Sequence, residues 1–153
     1  MTAAPPHPPP TAPHRRRLSP LTIGTVVGGG AVVAAFAIPT SVVGEGPVLC
    51  PFRLATGLPC PGCGLTRSWV AAAHGDLSTA FADNVFGPVS LVAVALAVVA
   101  AGMLRVVAPA RLTVLVRVAR SRVVYAVAAV WVVYGVARAV DAAVGTGVFP
   151  AVT

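Results

Sequence analysis

The sequence predicts an all-α membrane protein. Three transmembrane helices are expected, with a cysteine-containing interfacial or re-entrant helical hairpin between the first and second. Three observations carry this. Hydrophobic residues make up 57% of the 153 residues and charged residues 10%, with a mean hydropathy of +0.88. A soluble domain carries about 25% charged residues, so water is a poor solvent for most of this chain. Uncharged runs at 18–44, 85–104 and 123–137 are set off by charged residues, and a hydrocarbon layer needs roughly 20 residues per crossing. All 11 basic residues are arginines, and most of them flank those runs. The net charge of +7 therefore reads as membrane topology. Nucleic acid is not an expected partner, because that reading needs a basic patch on a folded soluble domain.

Residues 1–17 form a Pro-rich tail, MTAAPPHPPPTAP followed by His14 and Arg15, Arg16 and Arg17. The tail has nothing to bury and is expected to be disordered. Residues 18–44 are the first span, in which Gly28, Gly29 and Gly30 weaken a helix but permit close helix contact. A cleaved signal peptide is the competing reading, with Ala35-Phe36-Ala37 as a small-x-small site.

Residues 85–107 are the second span, where Pro88 suits a first-turn position that needs no N–H. A basic connection at 108–122 follows, in which Pro109 breaks the helix and Arg111, Arg117, Arg120 and Arg122 meet no acidic residue. It either lies at the lipid surface or extends the next span inward. Residues 123–144 are the third span and 145–153 a short tail. Arginine asymmetry sets the orientation. Arg15–Arg17 and the 105–122 arginines are expected in the cytoplasm, which makes the chain multi-pass with a cytoplasmic N-terminus. Loop 45–84, where Arg53 and Arg67 are offset by Glu45, Asp76 and Asp83, is expected outside it.

That loop holds all three cysteines. In Cys60-Pro61-Gly62-Cys63 the Pro-Gly pair forces a tight turn and brings the two sulfurs together. Residues 65–74 read as a short helix, with Gly64 or Thr66 near its start. Cys63 then lies at a helix N-terminus, where partial positive charge favours thiolate, and Arg67 adds a nearby cation. Three chemistries are open: a static disulfide, a Cys60/Cys63 redox couple with Cys50 as partner, and a metal knuckle. A knuckle site normally takes four ligands, here Cys50, Cys60, Cys63 and His74. No cofactor is required by the sequence, and zinc is the one this pattern admits.

Arg67 and His74 share a helical face, with Trp69 anchored on an interfacial one. Asp76 caps a helix over Leu77–Asp83. These polar groups act either as a local network holding the loop or in catalysis. Arg138 also has two accounts. It pairs with Asp141 and snorkels outward, or it reaches back to the cysteine loop or binds an anionic group.

Cys50-Pro51, Cys60-Pro61-x-Cys63-Gly64, Thr66-Arg67, His74-Gly75-Asp76, Asn84 and the late Arg138 together resemble the DUF2752 family of small bacterial membrane proteins. The resemblance spans residues 50–138. It departs at Asn84-Val85, where the family commonly has Asn-Pro and this chain carries Pro88 instead. It implies a helical membrane domain in a bacterial inner membrane and a segment of importance, and it implies no activity.

The expected function is a small non-enzymatic membrane module presenting the CxxC loop. A membrane thiol–disulfide oxidoreductase and a metal-binding membrane protein are the alternatives. The expected partners are the lipid bilayer and either a second copy of the chain, as a homo-oligomer, or another membrane protein.

Overall fold

The structure, a computed structural model, describes residues 19–44 and 50–149. The Pro-rich tail, Arg15–Arg17, Glu45 and the last four residues lie outside the described part. Among the described residues there is no strand.

Helix α1 spans Pro20–Ala37. It begins where Ser19 Oγ accepts the Thr22 amide at 3.2 Å with proline in the first turn, an arrangement that satisfies orphan donors. It ends at Ile38 because Pro39 disfavours helical backbone at the residue before it. The uncharged run 18–44 is therefore one spanning helix and a short second helix, α2 (Thr40–Gly44). Then come α3 (Pro51–Thr56), α4 (Leu65–Ala73), α5 (Leu77–Asp83) and α6 (Phe86–Val107). A 3-10 turn at Pro109–Arg111 leads into α7 (Leu112–Ala119), and α8 covers Arg122–Val144.

Helices α1, α6 and α8 are long and apolar enough to cross a bilayer, at hydropathies of 1.7, 2.3 and 1.9. Val26, Val33, Leu96, Val106 and Val133 on them are each 65% exposed or more. A surface of that kind fits lipid. The helix breaks at Ala108, ahead of Pro109, and α7 is a separate element.

Helices α1 and α6 run antiparallel. Arg105 near the end of α6 donates to Thr25 Oγ1 at 3.2 Å and to the Leu21 carbonyl at 3.4 Å, both near the start of α1. Further along, Gly28 faces Val94 and Val98, a close approach that glycine permits. The arginine-rich connection therefore shares an end with the start of α1, and the cysteine segment is carried at the opposite end.

Burial is concentrated at that opposite end. Helices α4 and α5 fold back on one another and against the first turns of α6, burying Val70, Ala71, Ala80 and Leu91. Ser68, fully buried, shares its hydroxyl proton between the carbonyls of Ala80 (2.6 Å) and Asn84 (3.1 Å). Gly87 of α6 lies against it with no room for a Cβ. Trp69 donates from Nε1 to Ser90 Oγ at 2.9 Å, so this ring joins the hairpin to α6. Pro88, in the first turn of α6, withdraws no helical hydrogen bond.

Candidate functional site

The site begins with a turn. Cys63 N donates to Cys60 O at 3.0 Å, closing Cys60-Pro-Gly-Cys63, and Cys60 N donates to Cys63 Sγ at 3.1 Å. Gly64 then takes φ +80° and caps α4. A Cβ there would stand 2.5 Å from the Asp83 carbonyl, so both the dihedral and the space require glycine. Cys50 arrives from the other side as the N-cap residue of α3, ahead of Pro51.

These elements bring the three sulfurs within 4.8 Å of one another. Cys60 Sγ lies 3.3 Å from both Cys50 Sγ and Cys63 Sγ. A disulfide requires about 2.05 Å, so the static disulfide, one of the three chemistries the sequence leaves open, is not formed and all three residues are free thiols. Cys50 and Cys60 are half-buried and Cys63 is buried.

The thiols differ electrostatically. The Arg53 amide in the first turn of α3, together with the neighbouring Cys60 thiol, holds Cys50 below the ordinary range. Burial pushes Cys63 up to about 11. The expected helix-terminus activation of Cys63 is thus outweighed by desolvation, which disfavours the charged form, and the lowered thiol is Cys50 instead.

The turn is pinned from below by three side chains. Asn84, fully buried, donates from Nδ2 to the carbonyls of Pro61 and Cys63, each at 3.2 Å, and accepts the Phe86 amide on Oδ1 at 3.0 Å. Trp131 Nε1 donates to Pro61 O at 3.1 Å. Arg138, 2% exposed, donates from Nη1 to Asp83 O at 3.1 Å and to Cys63 O at 3.4 Å. Its guanidinium lies 5.6 Å from the Tyr134 ring centroid, and its buried Nη2 has no hydrogen-bond partner among the described residues. Arg138 therefore reaches back to the cysteine loop and does not pair with Asp141. The Asp141 carboxylate instead receives Thr146 Oγ1 and the amides of Val148 and Phe149, closing the end of α8.

The other expected site residues go elsewhere. His74 is at the far end of α4, with Nδ1 against Val70 O at 2.9 Å. Nine helical residues separate it from Gly64, about 15 Å over ten steps at 1.5 Å each, and it does not join the sulfurs. Arg67 donates from Nε to Val43 O of α2 at 3.0 Å. Asp76 accepts the Thr79 amide and the Ser78 hydroxyl, and the bonds from Thr79 above all lower its carboxyl. Thr66 is exposed, and Gly75 makes the φ +86° turn between α4 and α5. Asp83 is raised by burial, partly offset by Arg67 and Arg138.

Ser68, Asp83, Gly87 and Gly135 also build the site although their sequence context does not single them out. Gly135 is the one with a readable signal. With Trp131 four residues before it and Arg138 three after, it completes one helical face.

Residues 50–98 match DUF2752, described as a protein of unknown function. The DUF2752 match begins at Cys50, takes in the turn, the α4–α5 hairpin and Asn84, and ends inside α6, short of Trp131, Gly135 and Arg138. No curated protein and no solved structure matches the chain.

Proposed function

We propose that this integral membrane protein is a small non-enzymatic module whose cysteine segment binds a thiophilic metal ion, zinc foremost, through Cys50, Cys60 and Cys63. The observation that supports this is the convergence of three free thiols within 4.8 Å. Thiolates bind zinc at about 2.3 Å, so three sulfurs sharing one ion stand about 3.8–4.0 Å apart. The two sulfur contacts of 3.3 Å to Cys60 open to that spacing by side-chain rotation of about 0.5–0.7 Å. The N–H directed at Cys63 Sγ also suits a thiolate ligand. On this reading the module sits in a bacterial inner membrane, with its cysteine face outside the cytoplasm and a second copy or another membrane protein covering part of its exposed helices.

The test is metal content per chain after purification in detergent with Zn2+ supplied, for the native protein and for Cys60→Ser. About one zinc per native chain, lost in the variant with helicity retained, is the expected result. Metal-free native protein carrying titratable thiols would overturn the proposal.

A second reading has its own support, because Cys60 lies in contact with two thiols. Loss of two electrons and two protons to an external disulfide would join Cys60 to Cys50 or Cys63. Thiol trapping in intact cells, before and after reduction, separates the readings: a reversibly oxidised pair supports redox chemistry, and three thiols protected by metal do not.

A further inference from the structure

The three sulfurs are not held alike. The Cys60–Cys63 turn is fastened at both of its inward carbonyls. Pro61 O takes Asn84 Nδ2 and Trp131 Nε1, and Cys63 O takes Asn84 Nδ2 and Arg138 Nη1. The donors come from the α5–α6 junction and from α8, so that junction and one span fix the positions of both thiols.

Cys50 belongs to a different kind of element. It precedes α3, a six-residue helix with Phe52 and Leu54 49% and 71% exposed. That helix ends at Gly57, in the left-handed region at φ +74°, where an added Cβ would meet nothing within 4 Å. α3, like α8, is joined to no other described helix by extensive packing, but α8 is bonded to the turn through Trp131 and Arg138. Cys50 meets the pair through its sulfur, which lies 3.3 Å from Cys60 Sγ and also against the Cys63 thiol.

We propose that the three-thiol cup is a metal-transfer site, in which Cys60 and Cys63 are fixed ligands and Cys50 is the ligand that exchanges. The inference rests on the metal reading above and deepens it. A structural zinc site closes all four positions with protein ligands, whereas a catalytic one keeps a position open to an incoming molecule, and the described residues supply three ligands here. Here one ligand is also detachable. The natural counterpart is a thiol-bearing carrier of soft d10 ions, because thiolates select such ions. In the exchange step the metal–sulfur bond to Cys50 breaks as a bond forms from the metal to the carrier sulfur. The carrier thiol's proton passes to Cys50, and the metal keeps its oxidation state, so no oxidant or reductant is needed.

The experiment uses the full chain in detergent, loaded with Cd2+ and followed by its thiolate absorption, with dithiothreitol as the accepting thiol. Transfer from the native protein is expected to accelerate in proportion to dithiothreitol concentration. Cys50→Ser is expected to keep a bound ion but release it roughly tenfold faster, while Cys60→Ser and Cys63→Ser bind none. A transfer rate independent of dithiothreitol, or loss of the ion from Cys50→Ser as complete as from Cys63→Ser, overturns the transfer site and leaves the metal reading standing. A native protein that takes up no Cd2+ overturns both. Should Cys50→Ser not fold, maleimide labelling of the loaded native chain decides: label on Cys50 alone supports the proposal, and equal labelling of all three sulfurs overturns it.

Discussion

Gly135 of α8 lies directly against the ring of Pro61, so that a Cβ on the glycine would run into the ring carbons. This contact seats the third span on the cysteine turn, with Trp131 and Arg138 bonding on either side of it. Gly135→Ala should therefore destabilise the protein although alanine is the better helix former. Overpacking costs about 1–3 kcal/mol, against a propensity gain of about 1 kcal/mol. Gly102, whose Cβ would meet nothing within 4 Å, is the control, and Gly102→Ala should be neutral or stabilising. Thermal unfolding of both variants in the same detergent checks the pair.

Asn84 spends its whole amide on three backbone groups, the carbonyls of Pro61 and Cys63 and the Phe86 amide. Both carbonyls keep a second donor, from Trp131 and Arg138. Asn84→Ala should thus cost about 1–3 kcal/mol, the penalty of an unsatisfied buried amide plus weakened acceptors. Asn84→Asp should be worse, because a carboxylate cannot donate to either carbonyl. Denaturant midpoints of the two variants test the order.

Features governed by neighbours in sequence were readable, and features governed by distant partners were not. The three spans follow from run length and hydropathy. The Asp76 cap and the Pro61-Gly62 turn follow from local chemistry. The break at Pro39 was equally available, since proline restricts the residue before it. Arg138 was ambiguous because Asp141, three residues on, offered a local partner, while its actual acceptors lie 75 and 55 positions away in the chain. His74 looked like a fourth ligand by residue type alone, and the length of α4 removes it. The reactivity of Cys63 is not legible, because helix position is visible in a sequence and burial is not.

Asp83 gives a pH dependence whose sign follows from its environment. Burial raises its carboxyl above the ordinary 3.8, with Arg67 and Arg138 offsetting part of the effect. The folded state therefore binds this proton more tightly than the unfolded state does. Its contribution to stability is fully present below the unfolded value and is lost as pH rises through the raised folded value. Asp83→Asn mimics the protonated form. It should melt higher than the native protein at pH 7, and the gap should close as pH falls below 3.8. A gap that widens on acidification would mean that the charge on Asp83 is stabilising.

Arg138 separates insertion from loop order. A cation inside a span is unfavourable by roughly 2.5–3.5 kcal/mol on insertion scales, so Arg138→Leu should enter the membrane at least as well as the native chain. The same change removes the bond to Cys63 O and one of the supports of Asp83 O. It also removes the buried Nη2 that has no partner among the described residues, which offsets part of the loss. The turn should loosen, and Cys63, pushed up to about 11 by its burial, should become more exposed and react with maleimide at lower pH. Arg138→Lys keeps the charge but not the planar fork, so it should loosen the turn comparably while leaving a buried cation with fewer acceptors. Membrane fractionation and the pH dependence of Cys63 alkylation measure the two effects independently. An Arg138→Leu chain that inserts normally, with Cys63 as protected as before, would show that α8 is held to the turn by Gly135 and Trp131 alone.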